Sequence, residues 1–308
     1  MEQQVICGNC LELMTPELGL FDVIVTSPPY NLDIDYNTYK DNKERKEYIE
    51  WMAAVFMKAK DLLTPNGSMF INLGFGQPDL LLPLEVAKRL SEFMVLQNQI
   101  AWVKSIRIGD EQKGSFTPNN SEKYLSNNFE YVFHFTKSYQ KIDKNNMSNC
   151  WFFPYTYLKS SNMPLTGLNF KPTEKEWLTL TEAHLETGIN ISAMSVAADK
   201  GWLKSNGERS KKRRIYGPDF NRWAAERTQK KTLDHPAMFP VELAEMCLKV
   251  HGCGVGCRML DPFVGVGSSL LAAKNLGLDA VGIDIDPKYV AEARERLVAD
   301  YGAWNEAK

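Results

Sequence analysis

Arg258-Met-Leu-Asp-Pro-Phe-Val-Gly-Val-Gly-Ser-Ser269 is the stretch from which the fold is read. Met259 and Leu260 form a short apolar run that stops at Asp261-Pro262. Gly265 and Gly267 let the backbone bend and approach a neighbour closely. Leu270 to Leu276, opened by Ser268 and Ser269, then reads as a helix. Gly277-Leu-Asp-Ala-Val-Gly-Ile-Asp284 supplies a second strand that ends in an acid. Asp286-Pro287 caps a last helix from Lys288 to about Asp300.

The same rhythm appears at the other end of the chain. Phe21-Asp-Val-Ile-Val-Thr26 is an apolar, β-branched run that stops at Pro28-Pro29, a pair that cannot continue a ladder. Tyr48 to Leu63 has helical spacing and ends at Thr64-Pro-Asn-Gly67. Ser68–Leu73, Leu96–Lys104 and Tyr131–Phe135 read as strands, and Pro83–Phe93 as a helix. Alternating strands and helices with apolar runs predict an α/β fold. The expected sheet is mostly parallel and doubly wound, covered on both faces. From about Ser138 the texture changes: Asn, Ser, Lys and aromatics rise and the βαβ rhythm disappears. The expected organisation is therefore residues 1–137 and 233–308 as one α/β domain, with 138–232 as an inserted module.

Composition limits the alternatives. Hydrophobic residues make up 44% of the 308 residues and charged residues 24%, which excludes a disordered or collagen-like chain. The apolar runs, such as Leu80 to Leu84, are far short of the ~18 residues of a membrane span. Met-Glu-Gln-Gln has no basic n-region followed by an apolar stretch, so a reducing cytoplasm is expected. The net charge of −2 hides a basic tract between Lys200 and Lys231 that includes Lys211, Lys212, Arg213 and Arg214. Such a tract suits a polyanion, and equally a solvated basic loop. Cys7-x-x-Cys10 and Cys253-x-x-x-Cys257, with His251 nearby, suggest a metal. The two pairs lie at opposite ends of the chain, so small buried thiols are favoured and no metal is expected.

The two loops carry the chemistry. In the second, a helix N-terminus follows Gly267 and offers unpaired N–H groups to an anion. Asp284, at the end of the next strand, can accept the hydroxyls of a ribose. Leu270 stands where the third glycine of a dinucleotide fingerprint would be. The alternative is a tight βα turn with no ligand. In the first loop, Ser27-Pro-Pro-Tyr30 sets the Ser27 hydroxyl and the Pro28 carbonyl as acceptors beside the Tyr30 ring. That set suits a planar group bearing an NH₂.

Together these segments resemble the S-adenosylmethionine-dependent DNA amino-methyltransferases, in the permuted order where the catalytic motif comes first. Ser27, Pro28, Pro29 and Tyr30 are similar to the family's (S/D/N)-P-P-(Y/F). Asp261-Pro-Phe-x-Gly-x-Gly267 with Ser268 is similar to its D-P-F-x-G-x-G-(S/T). Val281-Gly-Ile-Asp284, Gly8-Asn-Cys-Leu-Glu-Leu13, Trp102-Val-Lys104, Glu130 to Lys137 and His235-Pro-Ala-Met-Phe-Pro240 match further segments in order. The resemblance implies a Rossmann-like methyltransferase fold and S-adenosyl-L-methionine as cofactor. It implies contacts from Asn9, His235, Asp261, Phe263, Gly265, Gly267, Ser268 and Asp284. Asn9 stands where the family usually has Asp, and Phe239 where many members have Lys.

The resemblance also implies double-stranded DNA as substrate, with the target base flipped out of the duplex. The module at 138–232 stands where such enzymes keep their target-recognition domain. Lys211, Lys212, Arg213 and Arg214 would contact phosphates, beside aromatics such as Trp151, Phe152 and Phe153. Ser at the head of the motif favours the N4 amine of cytosine over the N6 amine of adenine. A homodimer and a cognate restriction endonuclease are the open partners. The rival functions are a nicotinamide-dependent dehydrogenase, which the missing third glycine disfavours, and an idle DNA-binding module or one acting on RNA or protein, which the intact Ser-Pro-Pro-Tyr disfavours.

Overall fold

The computed structural model describes residues 2–108, 111–114, 123, 127–142, 148–158, 174–187, 194–195, 198–199, 203–208, 213–221 and 239–298. The chain divides into two compact units. The first holds Met1–Ser105, Ser115–Tyr155 and His235–Lys308; the second holds Ile106–Gly114 and Thr156–Asp234.

In chain order the first unit contains β1 (Gln3–Cys7), α1 (Cys10–Leu13), β2 (Phe21–Thr26), α2 (Arg45–Asp61), β3 (Leu63–Leu73) and α3 (Leu82–Leu90). The strand β4 (Val95–Ile108) runs past the unit boundary and is followed by β5 (Glu111–Gly114) in the second unit. Then come β6 (Phe129–Thr136) and β7 (Cys150–Leu158). After the second unit the chain returns with α5 (Val241–His251), β10 (Arg258–Asp261), α6 (Ser268–Asn275), β11 (Asp279–Asp284) and α7 (Pro287–Val298).

The strands of the first unit lie in the order β1-β11-β10-β2-β3-β6-β4, with β7 also paired to β4. The first five are parallel to one another, and β6 is antiparallel to both β3 and β4. The sheet is mostly parallel, as expected, with β6 as the antiparallel strand between β3 and β4.

Both faces are buried, as the continuous apolar runs require. On one face Ile24, Met69, Ile71 and Phe133 pack under Met52, Phe56, Val86 and Leu90 of α2 and α3. On the other, Val23, Val25, Phe70 and Met259 pack under Leu243, Leu248, Leu270 and Ala273 of α5 and α6. Alternate residues of β2 therefore go to opposite cores. Each large side chain so buried stabilises the fold by about 1.5–3 kcal/mol.

This order also positions the site. From β10 the chain winds through α6 to β11 on one side; from β2 it winds through α2 to β3 on the other. The carboxyl ends of β10 and β2 border the crevice at this reversal, the usual ligand position in an open α/β sheet.

The boundary of the inserted module differs from the expectation of 138–232. Ser115–Tyr155 belong to the first unit, and Ile106–Gly114 to the second. Trp151 is buried with Ile100, Trp102 and Val132, and the Trp102 indole donates to the Phe153 carbonyl at 3.0 Å. Sheet pairing and indole burial hold this stretch to the α/β core, so Trp151 does not serve a DNA-facing module. Phe152, on the alternate face of the strand, is 58% exposed.

The second unit has an antiparallel pair of β8 (Trp177–Thr179) and β9 (Arg214–Tyr216), with α4 (Leu180–Thr187) between them in sequence. Thr179 and Glu182 form a reciprocal cap at the start of α4. Glu182 Oε2 accepts from the Thr179 amide at 2.8 Å, and Thr179 Oγ1 accepts from the Glu182 amide at 3.1 Å. Leu178, Leu180, Ala183, Met194, Leu203, Ile215 and Phe220 make a small core. Among the described residues no helix is long and apolar enough to cross a membrane.

One buried polar chain makes stability depend on pH. His134 is fully buried on β6 and stacks on Phe70 at 4.3 Å. Burial, reinforced by His251, lowers its pKa from 6.5 to about 4. The neutral ring is the folded form, so its contribution is present above the unfolded pKa of 6.5. It is lost as pH falls through 4, by up to about 3 kcal/mol. Denaturant titrations of the wild type and His134→Gln across pH 4–6.5 are expected to give a shallower pH dependence in the variant.

Candidate active site

Ser27-Pro-Pro-Tyr30 leaves the carboxyl end of β2 as a rigid turn. The Tyr48 hydroxyl of α2 donates to the Pro29 carbonyl at 2.7 Å and pins it. The Ser27 hydroxyl lies 2.6 Å from the Tyr30 hydroxyl. Tyr30 in turn donates to Glu130 Oε2 at 3.1 Å. Asn72 Nδ2 donates to Glu130 Oε2 at 2.7 Å and also contacts the Tyr30 hydroxyl. Lys104 Nζ closes the network 2.5 Å from Glu130 Oε1.

The direction of these bonds follows from the donor inventory. The Glu130 carboxylate can only accept, so the Tyr30 hydrogen points to it. Asn72 Nδ2 can only donate, so the remaining lone pair of the Tyr30 oxygen takes the Ser27 hydrogen. Ser27 Oγ is left with lone-pair capacity facing the cleft. Burial and the Glu130 charge push the Tyr30 pKa well above its usual value, so the group stays a phenol. Its ring packs on Gly74, where an added Cβ would fall 2.6 Å from Tyr30 Cε2.

Asn72 and Glu130 escaped the sequence reading as site residues. Their signal was present: each is a polar residue near the end of an otherwise apolar, buried strand. Only the antiparallel pairing of β3 and β6, which sets Asn72 opposite Val132, brings them to one place.

The second loop lies across the crevice. Thr26 Oγ1 donates to Asp261 Oδ1 at 2.6 Å and ties β2 to β10. The Phe263 amide donates to the same oxygen at 3.0 Å, and the Ser269 hydroxyl donates to Oδ2. Asp261 is fully buried, and burial raises its pKa to about 6 despite these bonds. It braces the loop from behind. Gly267 has φ +87°, and a Cβ there would sit 3.2 Å from that of Ala293 in α7, so glycine is required. Gly267 precedes α6 with no side-chain cap.

Asp284 stands at the end of β11. Its Oδ2 accepts from the Gly265 amide at 2.8 Å and its Oδ1 from the Asp286 amide at 2.9 Å. Burial raises its pKa. Between these loops opens a cleft lined among others by Asn9, Ser27, Pro29, Phe263, Asp284 and Tyr289. Asn9 Oδ1 accepts from the Leu11 amide at 3.1 Å and caps α1. An aromatic wall completes the cleft. Trp51 meets the edge of Phe263 at 5.7 Å and stacks on Tyr39 at 5.5 Å.

Tyr36, Thr38 and Tyr39 come from a loop at 31–44 that sequence reasoning passed over. Buried Asp41 accepts from the amides of Asn31 and Leu32 at 2.8 and 2.9 Å and gives the loop its shape. Asn31 and Asp33 take left-handed backbone angles, φ 60° and 58°. Thr38 Oγ1 donates to Asp286 Oδ2 at 3.3 Å and fastens the loop beside the β11 end.

The structure thus brings together Asn9, Ser27, Pro29, Phe263 and Asp284 at one cleft. Asp261 and Ser268 are buried behind it. Arg213 is corrected by the structure: it is 5% exposed, and its guanidinium binds Asp199 at 2.6 Å, the Ser195 carbonyl at 2.9 Å and the Glu208 carbonyl at 2.8 Å. An arginine whose donors are spent inside its own unit is not placed to meet a phosphate. Arg214, the next residue on β9, is exposed. Lys211, Lys212 and His235 lie outside the described residues.

The site and the fold define a class, the N4/N6 DNA amino-methyltransferases. The sequence profile of a DNA methylase family matches residues 21–295, and the chain belongs to that family. It is 24% identical to the Type II methyltransferase M.HpaI of Haemophilus parainfluenzae over 306 residues, 99% of this chain and 77% of the relative. It is 24% identical to M.ScaI of Streptomyces caespitosus over 298 residues, 95% and 80% of the two chains. Among solved structures, the cytosine-N4-specific PvuII DNA methyltransferase shares the fold with a TM-score of 0.59 at 16% identity, over 97% of this chain and 88% of that one. M1.HpyAVI in complex with SAM matches with a TM-score of 0.53 at 19% identity, over 96% and 99%.

Proposed function

We propose that this chain transfers a methyl group from S-adenosyl-L-methionine to the exocyclic amine of a base flipped from double-stranded DNA, with cytosine N4 as the target. The observation that carries the reading is the Ser27 oxygen, held at the cleft with a free lone pair by Tyr30, Asn72 and Glu130.

The cleft suits the cofactor. Asp284 offers an acid to a ribose, Phe263 and Trp51 offer apolar walls, and the uncapped start of α6 offers amides to a carboxylate. Asn9 and Tyr289 would flank it. When bound, S-adenosylmethionine supplies an electrophilic methyl on sulfur. Asp284→Ala removes an acceptor and frees the Gly265 and Asp286 amides. It is expected to weaken cofactor binding by about 1–3 kcal/mol, roughly 5- to 150-fold, read by calorimetry.

The amine of a base is a poor nucleophile because its lone pair is delocalised into the ring. Ser27 Oγ and the Pro28 carbonyl accept its two hydrogens, which localises the pair and stabilises the charge that develops on nitrogen. Tyr30, Asn72 and Glu130 hold Ser27 in the accepting orientation. The proton that must leave has a path from Ser27 through the Tyr30 hydroxyl to the Glu130 carboxylate. Covalent attack by a thiol is not needed, and burial raises the Cys10 pKa to about 12, which keeps it protonated.

Ser27 supports cytosine because resembling enzymes with Ser at this position more often act there. The Type II relatives support a role beside a restriction endonuclease that reads the same site. The second unit, with Arg214 on its surface, would read the DNA. Nucleoside mass spectrometry of DNA treated with the purified protein tests the reading. N4-methyldeoxycytidine is expected, N6-methyldeoxyadenosine would reassign the base, and neither product would overturn the proposal.

A further inference from the structure

We propose that His251, Cys253 and Cys257 form a structural binding site for a zinc ion, at the edge of the sheet remote from the catalytic loops. The ligand atoms of the three residues lie within 4.8 Å of one another. Cys257 Sγ lies 2.8 Å from Cys253 Sγ, and both cysteines are free. The Asp22 carboxylate accepts from the amide of Arg258, the residue after Cys257, at 3.0 Å. Two thiolates and an imidazole, with a carboxylate or water in the fourth place, make a tetrahedral set for zinc rather than for magnesium or calcium.

The surroundings fit an ion. Ser68 Oγ lies 2.9 Å from His251 Nδ1 and 3.1 Å from His134 Nε2. A hydroxyl oxygen has two lone pairs and can accept from both rings. With Nδ1 so engaged, Nε2 remains for the metal, the usual outer-shell arrangement of a ligating histidine. In a zinc tetrahedron the two sulfurs stand about 3.7 Å apart, so they must part by about 1 Å. The turn that carries them can yield. Gly252 and Gly256 have φ +82° and +91°, and around Gly252, Gly254 and Gly256 an added Cβ would meet nothing within 4 Å.

The place of the cluster gives the ion its role. Cys257 immediately precedes β10, Asp22 is the second residue of β2, and His251 ends α5. These are the amino-terminal ends of the two strands whose carboxyl ends border the active site. An ion here would join α5, β2 and β10 without meeting substrate. Cys7, in contrast, pairs with Asp284 at the carboxyl edge, so the two cysteine pairs of the sequence serve separate places.

Each bound zinc would displace two thiol protons. The test uses the untagged full chain, reduced and stripped of metal, titrated with zinc alone. About one equivalent per chain and release of two protons are expected. Cobalt in its place is expected to show thiolate charge-transfer and tetrahedral d–d bands. The double variant C253S/C257S should lose both signals while keeping its circular dichroism and cofactor affinity. H251Q should keep the charge-transfer band and bind at least about tenfold more weakly. A chain that takes up no zinc with both thiols free would overturn the site, as would one isolated with a Cys253–Cys257 disulfide that does not exchange for metal on reduction.

Discussion

Ser27→Ala is expected to slow single-turnover methylation by about tenfold to a hundredfold while leaving cofactor affinity nearly unchanged. A preorganised hydrogen-bond partner of the transition state is worth about 10²–10³ in rate. The expected loss is smaller because the Pro28 carbonyl still accepts one hydrogen of the amine. The structure adds a second arm to the experiment. Tyr30→Phe leaves Ser27 in place but removes the hydroxyl that receives its hydrogen at 2.6 Å. Ser27 is then free to turn its own hydrogen toward the amine. Tyr30→Phe should therefore share much of the rate loss of Ser27→Ala, and the double variant should be little worse than either. Losses that multiply would mean that the Tyr30 hydroxyl acts on its own and not through Ser27. Full rate in Ser27→Ala would assign the step to the backbone carbonyl alone.

Asp261→Ala is expected to destabilise the fold by about 3–5 kcal/mol. The carboxylate is fully buried and accepts from Thr26 of β2, Phe263 of the loop and Ser269 of α6. Removing it leaves three donors without an acceptor in a dry interior, each worth about 1–3 kcal/mol. The bonds also set β2 against β10 at the mouth of the cleft, so cofactor affinity should fall with stability. Asp261→Asn keeps the volume and one acceptor, and is expected to recover part of the loss. Urea unfolding and calorimetry on the two variants measure both effects. Equal stability of Asp261→Ala and the wild type would remove Asp261 from its bracing role.

The two predictions rest on residues that the sequence presented alike, as polar groups in short motifs, and that the fold uses differently. Asp261 was read as a cofactor contact, and it is a brace behind the loop. Arg213 was read with its basic neighbours as a phosphate contact, and it is buried on Asp199. Spacing reports which residues are close along the chain. It does not report which way a side chain turns, because that depends on partners hundreds of positions away, as with Thr26 and Asp261. Asn72 and Glu130 were missed for the same reason: Asn72 has no local motif, Glu130 heads a segment that reads only as a strand, and strand pairing makes them one network.

What the sequence determined by itself was the local and the periodic. Apolar runs ended by Pro-Pro or by Gly-x-Gly marked strands and turns, since proline cannot continue a ladder and glycine can take φ +87° at position 267. Those punctuation marks, with Asp284 at the next strand end, were enough to place the α/β fold, both loops and the family. The tertiary structure decided what depends on contact at a distance. It set the antiparallel β6 between β3 and β4, buried Trp151 in the α/β core, and folded the loop at 31–44 onto the cleft. It also set His251 beside two thiols whose meaning the chain order had left open. Each of these outcomes turns on burying a particular surface or satisfying a particular donor, and such partners are chosen only when the whole chain is compact.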